Sequence, residues 1–122
     1  MGHAPHVLGP WSVLERTFFD HSLLPKDLLE QVRRTLALGT GCVYCQAKAG
    51  PPDDRHGALR TSLAVALAQA FAADHRTIDK LLIEVLREEF SDAELVELVA
   101  FMSFMWAGGT FGKVLGIRSA ER

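Results

Sequence analysis

The sequence predicts an all-α fold, on three observations. Apolar residues recur three and four positions apart along most of the chain, which is the helical period. Proline, glycine and capping residues interrupt these runs at intervals typical of short helices. No stretch of useful length alternates apolar and polar residues as a half-buried strand does. We therefore expect about six helices in a single domain, residues 1–122, whose 48% of hydrophobic residues can form one core.

The first two predicted helices are Pro10–Phe19 and Pro25–Leu38. The first has the aromatic and aliphatic residues Trp11, Leu14 and Phe18 on one side. The second begins with a proline, which suits a first helical turn. It is followed directly by Gly39, which suits a C-terminal stop.

A third helix is predicted to carry both cysteines, Cys42 and Cys45. Thr40 or Gly41 would cap its start, because threonine and glycine are both favoured at helix N-caps. The helix should end near Ala49, since the Gly-Pro-Pro sequence that follows cannot continue it.

The remaining chain predicts helices at Leu59–Ala73 and Thr77–Phe90, the latter with Thr77 as its N-cap. Ser91–Glu94 then has the Ser-x-x-Glu pattern of a capping box, which opens another helix. We expect Gly108-Gly109 to break that helix, and Phe111–Ile117 to form a last short helical turn.

The helix after Ser91 is apolar on nearly every side from Leu98 onward. A small domain cannot easily bury such a helix on all faces alone. We therefore expect part of Leu98–Trp106 to lie between subunits. The alternative is a central helix enclosed by the neighbouring helices of its own chain.

Composition excludes several classes of function. The formal net charge of −2, without a lysine and arginine cluster, disfavours binding to nucleic acid. The longest uncharged run, Leu98–Gly112, is shorter than the roughly 20 residues of a membrane span, so we expect no membrane association. The N-terminal segment lacks the basic start and apolar stretch of an export signal, which predicts a cytoplasmic protein.

The pair Cys42 and Cys45 can form a redox centre. Residues three apart share one face of a helix, so the two sulfurs can close a disulfide, and a helix N-terminus favours the thiolate. Two buried, unreactive thiols are an alternative. A zinc half-site is disfavoured, because structural zinc wants four ligands and the histidines show no ligand spacing. We expect no metal and no cofactor.

Redox thiols also need groups that carry protons. The candidates near the cysteines in sequence are Glu30, Tyr44, Lys48 and His56. Glu30 lies in the preceding helix among apolar neighbours. For each of the four, a solvent-facing or core position without a role in chemistry is the alternative.

The spacing of Glu30 twelve residues before Cys42, followed by Cys45, resembles the carboxymuconolactone decarboxylase-like superfamily, in particular its alkylhydroperoxidase AhpD-like branch. The segments "LAVALAQAFAADH" and "LLIEVLREEFSDAELVELVAFMSFMWAGGTFGKVLGI" are also similar to that family. The resemblance covers residues 25–117. It implies an all-helical subunit of a homo-oligomer, a trimer or hexamer.

The resemblance also implies roles. Cys45 would attack a peroxide or an oxidised partner, Cys42 would close the disulfide, Glu30 would relay protons, and an external dithiol would reduce the pair. The family's motif histidine would fall at Ala49, so Tyr44, Lys48 and His56 are the candidates to replace it, and a weak activity is expected. Two alternatives remain: a non-catalytic oligomeric scaffold for a ligand or partner, and a lactone decarboxylase whose pocket uses the arginines Arg33, Arg34, Arg55 and Arg60.

Overall fold

In a computed structural model of the chain, the structure describes residues 4–40 and 59–116. Within these two ranges it is all-helical and has no strand, which confirms the predicted fold class. The helices are α1 (Pro5–Asp20), α2 (Lys26–Thr40), α3 (Leu59–Asp74), α4 (Lys80–Glu89) and α5 (Asp92–Leu115). The predicted cysteine helix lies outside the described residues, so the count of six and the single-domain assignment stay predictions.

The core lies where α2 packs against both α3 and α5. Its apolar residues follow the helical spacing of the sequence, so each helix presents one buried face. The largest fully buried side chains are Leu28, Leu29, Val32 and Leu36 of α2, Leu67 of α3, Leu86 of α4, and Leu98, Phe101 and Met102 of α5.

Helix α1 packs on α5 through aromatic rings. The ring centroids of Trp11 and Phe104 are 4.8 Å apart, and those of Phe18 and Phe101 are 5.5 Å apart at an edge-on angle of 78°. The helix begins at Pro5 rather than at Pro10, so the prediction missed its first turn. Pro5 occupies the first turn, where its missing N–H costs nothing, while Pro10 is tolerated inside the helix because aromatic packing stabilises α1.

The helix caps confirm one prediction and correct another. The Ser91 hydroxyl accepts the backbone N–H of Glu94 at 3.2 Å, and the Glu94 carboxylate accepts that of Ser91 at 2.9 Å, which is the predicted capping box. Thr77 is not the N-cap of α4. Asp79 takes that position, with its carboxylate accepting the N–H of Leu81 at 2.9 Å, because an aspartate caps more strongly than a threonine.

The predicted break of the last helix at Gly108-Gly109 is wrong. Helix α5 continues through both glycines to Leu115 and ends at Gly116, whose φ of 69° is left-handed. Gly109 and Gly112 are buried and extend the core face of α5. Packing along this face outweighs the helix propensity cost of about 1 kcal/mol per glycine. The predicted separate turn at Phe111–Ile117 is therefore mostly the end of α5.

Only one face of α5 is covered by the described chain. Leu98, Phe101 and Met102 are fully buried, whereas Val96 and Val99 on the opposite side are exposed. Among the described helices, α5 alone is long and apolar enough to cross a membrane, a property that core helices of soluble proteins share. The described helices therefore enclose the core face of α5 and leave the opposite face uncovered, and the interface between subunits stays a prediction.

Gly39 tests the packing at the end of α2. It lies inside the helix rather than after it, and a Cβ there would be 2.6 Å from Cβ of Ala72 and 3.2 Å from a ring carbon of Trp106. We expect Gly39→Ala to destabilise the fold by about 1–3 kcal/mol in urea unfolding, because a well-packed contact does not accept another methyl group. The control is Gly9→Ala in α1, with nothing within 4 Å of the added Cβ. It should stabilise by up to about 1 kcal/mol, and a Gly39→Ala variant that does the same would contradict the packing.

Candidate functional site

The described part of the candidate site is Glu30 together with the C-terminal end of α2, where the chain continues toward the cysteines. Cys42, Tyr44, Cys45, Lys48 and His56 lie outside the described residues, and their predicted roles stay predictions. Glu30 is the fifth of the fifteen residues of α2 and lies ten residues before its last residue, Thr40. That separation is about 15 Å of helical rise.

Two arginines of the same helix hold the Glu30 carboxylate. Arg33 donates from Nη2 to both carboxylate oxygens, at 2.7 and 2.8 Å, and from Nε at 3.1 Å. Arg34 donates from Nε at 3.2 Å. The arginines follow at i+3 and i+4, the spacings at which helical neighbours meet. Glu30 is thus partly buried and paired rather than solvent-facing and free.

This pairing keeps Glu30 ionised. Partial burial by itself acts to raise the pKa of the Glu30 carboxyl. The hydrogen bonds and positive charges of Arg33, and then of Arg34, outweigh that effect, so the pKa lies below its ordinary value. A general base works best when its pKa is near the working pH. Glu30 is therefore a weak proton acceptor at neutral pH.

The end of α2 is anchored beside α3 and α5 by the close approach of Gly39 to Ala72 and Trp106. The Trp106 ring stands edge-on to Phe71, with centroids 5.8 Å apart at 76°. The Phe71 ring in turn contacts His75 at a centroid distance of 5.4 Å. These rings form an aromatic cluster beside the last described residues of α2.

His75 is a candidate that the sequence analysis missed. His75 directly follows the last residue of α3 and its ring lies against Phe71, so it is three residues beyond the Ala72–Gly39 contact. Imidazole is the side chain that most often carries protons near neutral pH. No sequence signal points to His75, because 33 residues separate it from Cys42 and only the packing of α2 on α3 brings it to this end of the molecule.

The arginines proposed for a lactone pocket are engaged elsewhere. Arg33 and Arg34 pair with Glu30. Arg60 of α3 donates from Nη2 to Glu94 at 2.5 Å, and its guanidinium lies 4.5 Å from the ring centre of Phe90. Arg55 lies outside the described residues. No group of three or more metal-ligating side chains occurs in residues 4–40 and 59–116.

Comparisons with known proteins place the chain in no established group. No family model matches the sequence, and no curated protein sequence matches it. The resemblance to AhpD-like proteins therefore rests on the residue pattern itself.

The Glu94 carboxylate gives the fold a pH dependence that can be measured. Hydrogen bonds from the Ser91 N–H and from Arg60 lower the pKa of Glu94. Its folded pKa is thus below the unfolded value of about 4.3. The stabilisation is complete above that value and is lost as the pH falls through the folded pKa.

We expect Glu94→Gln to reduce the free energy of unfolding at pH 7 by roughly 0.5–1 kcal/mol. The effect is this small because the carboxylate is partly exposed and solvent screens its charge. Below pH 4 the stability of the variant should decline less than that of the wild type, because glutamine keeps the capping hydrogen bond but carries no charge that acid can neutralise. Urea unfolding between pH 7 and 3 measures both effects. Glu88→Gln, an exposed position of α4, is the control, and equal pH profiles for the two variants would contradict the assignment.

Proposed function

We propose that this chain is an AhpD-like thiol–disulfide oxidoreductase with weak peroxidase activity, centred on Cys45 and Cys42. The observation that carries the proposal is the Glu30–Cys42–Cys45 spacing on an all-helical chain. Helix α2 continues to Thr40, so Cys42 follows its end by two residues. We further propose a cytoplasmic homo-oligomer.

In the proposed reaction the Cys45 thiolate attacks the distal oxygen of a hydroperoxide. The O–O bond breaks, Cys45 becomes a sulfenic acid, and the leaving alkoxide takes a proton to form an alcohol. The Cys42 thiolate then attacks the Cys45 sulfur, which forms the disulfide and releases water after protonation. An external dithiol reduces the disulfide by two successive exchange steps and is itself oxidised to a disulfide.

Within this proposal, disulfide exchange should be more efficient than peroxide reduction. Peroxide reduction needs a proton for the leaving oxygen, and general acid–base help is worth about 10²–10⁴-fold in rate. Ala49 supplies none, and Glu30 is kept ionised by Arg33 and Arg34. Exchange between thiols has a better leaving group and needs less assistance.

His75 supports a remaining peroxidase activity within this proposal. It lies at the end of the molecule where α2 ends, and its side chain is exposed. We propose it as a proton carrier beside the three candidates of the sequence, Tyr44, Lys48 and His56. Glu30 would then act as a fixed negative charge rather than as the base.

A non-catalytic scaffold is the second candidate, favoured by the paired state of Glu30 together with Ala49. In that case the thiols do not react and the chain serves as a binding or assembly unit. The lactone decarboxylase has less support, because the three described arginines of its supposed pocket are in ion pairs.

The thiol assignment predicts a disulfide between Cys42 and Cys45 after treatment with one equivalent of a hydroperoxide. Peptide mass mapping should find it in the wild type. Cys42→Ser should accumulate the sulfenic acid of Cys45, trapped with dimedone, because the resolving thiol is missing. Cys45→Ser should consume no peroxide. Slow labelling of both native thiols and no peroxide-dependent disulfide would instead favour the scaffold.

The role of His75 predicts that His75→Phe slows peroxide consumption about 10²-fold, the low end of acid–base catalysis. Phenylalanine keeps a ring against Phe71, so stability should change little. The rate at which a dithiol reduces the disulfide should stay within a few-fold of the wild-type rate. A merely structural role of His75 would instead slow both reactions. The matched control is His21→Phe, another exposed histidine, between α1 and α2. Equal rates for the two variants would remove His75 from the mechanism.

A further inference from the structure

The outer face of α5 is an apolar surface that the described chain leaves uncovered. Its residues recur at helical spacing away from the core, and we name them the α5 stripe: Val96, Val99, Ala100, Ser103, Ala107, Thr110 and Val114. Val96 is 70% exposed and Val114 is 76% exposed. No residue from Leu98 to Gly112 is charged. Extended apolar surface of this kind marks an interaction site.

The C-terminal half of the stripe contains a shallow, open depression. Ala107, Thr110, Phe111 and Val114 line an apolar depression beside Trp11 of α1. These four α5 residues have the spacing i, i+3, i+4 and i+7. In packed helices, four residues in this arrangement form the hole that receives one side chain of the facing helix. We call this depression the α5 hole.

Val96 is the matching knob at the other end of the stripe. Ser103 lies midway along α5 between Val96 and the centre of the α5 hole. A second α5 that runs antiparallel across Ser103 therefore inserts its Val96 into the hole, and the two-fold axis repeats the contact. The small residues Ala100, Ser103 and Ala107 lie where the helices cross, so the backbones can approach closely there.

The same register brings opposite charges together at both ends. Asp92 lies eleven residues before Ser103 and Lys113 ten residues after it, and both side chains are exposed. In the antiparallel pair, Asp92 of one copy and Lys113 of the other therefore differ by about 1.5 Å along the helix axis. At 100° per residue, the two positions are also within about 60° of each other around α5. Each Lys113 thus faces Asp92 of the second copy along one edge of the stripe.

We propose that α5 pairs with α5 of a second copy of this chain, antiparallel and symmetric about Ser103, with Val96 of each copy in the α5 hole of the other. The proposal rests on the self-association proposed above and not on the thiol chemistry. A lipid bilayer is the other apolar environment for this face. The hole, its knob and the end charges fit a second helix, whereas alanine and serine gain little from transfer into lipid.

Cysteine crosslinking tests the register in a Cys42→Ser/Cys45→Ser background, which removes the native thiols. Val96→Cys and Thr110→Cys are treated singly and as an equal mixture with a short bismaleimide that spans about the 8–10 Å between packed helices. In the proposed pair each residue lies beside the other one but roughly 20 Å from its own counterpart. We expect a crosslinked dimer from the mixture only. Self-crosslinking of either variant, or no product from the mixture, overturns the proposal.

Sedimentation equilibrium of otherwise wild-type chains tests the energetics. Val96→Glu places a charge in the apolar hole and should raise the dissociation constant of the dimer at least about tenfold. The matched control is Leu81→Glu on α4, which is 67% exposed and lies off the stripe. It should leave the constant unchanged.

A wild type that stays monomeric at tens of micromolar, or equal effects of the two glutamates, overturns the proposal. Binding of the wild type to phosphatidylcholine vesicles in place of self-association also overturns it. The peroxide and disulfide measurements depend on Cys42 and Cys45 and not on the pairing of α5. Failure of the redox function and failure of the helix pair are therefore told apart.

Discussion

The burial of one face of α5 is the interaction on which the rest of the structure depends. Leu98, Phe101 and Met102 are fully enclosed, and α2 and the aromatic residues of α1 pack onto this face. Each such side chain contributes about 1.5–3 kcal/mol when it leaves water. Because of this packing, α5 stays helical through two consecutive glycines. It therefore includes the residues that line the hole beside Trp11.

The same packing positions the candidate site. Because α2 and α5 share a core, Gly39 lies against Ala72 and Trp106, and the end of α2 has a defined place beside Phe71 and His75. A side chain at position 39 would push α2 away from both neighbours. Gly39, which the sequence predicted to end the helix, is therefore a contact residue within α2.

Local electrostatics set the character of Glu30. Its two arginine partners come from the next turn of the same helix, so their pairing needs no tertiary structure. A carboxylate held in this way stays ionised and accepts hydrogen bonds well but takes up a proton poorly. In the proposed oxidoreductase, Ala49 in place of the histidine that the resemblance implies would leave the thiol spacing intact with a weaker proton relay.

The sequence by itself determined the helical class, the capping box at Ser91 and most helix bounds, because apolar periodicity and local capping bonds act within a few residues. The spacing of Glu30, Cys42 and Cys45 also predicted a redox site, and that assignment stays a prediction. The sequence could not determine that α5 runs on past Gly108, since helix propensity competes there with packing energy from distant residues. Only the tertiary structure brought His75 to the end of α2 and showed that the described residues leave one face of α5 uncovered, because both depend on which helices pack together.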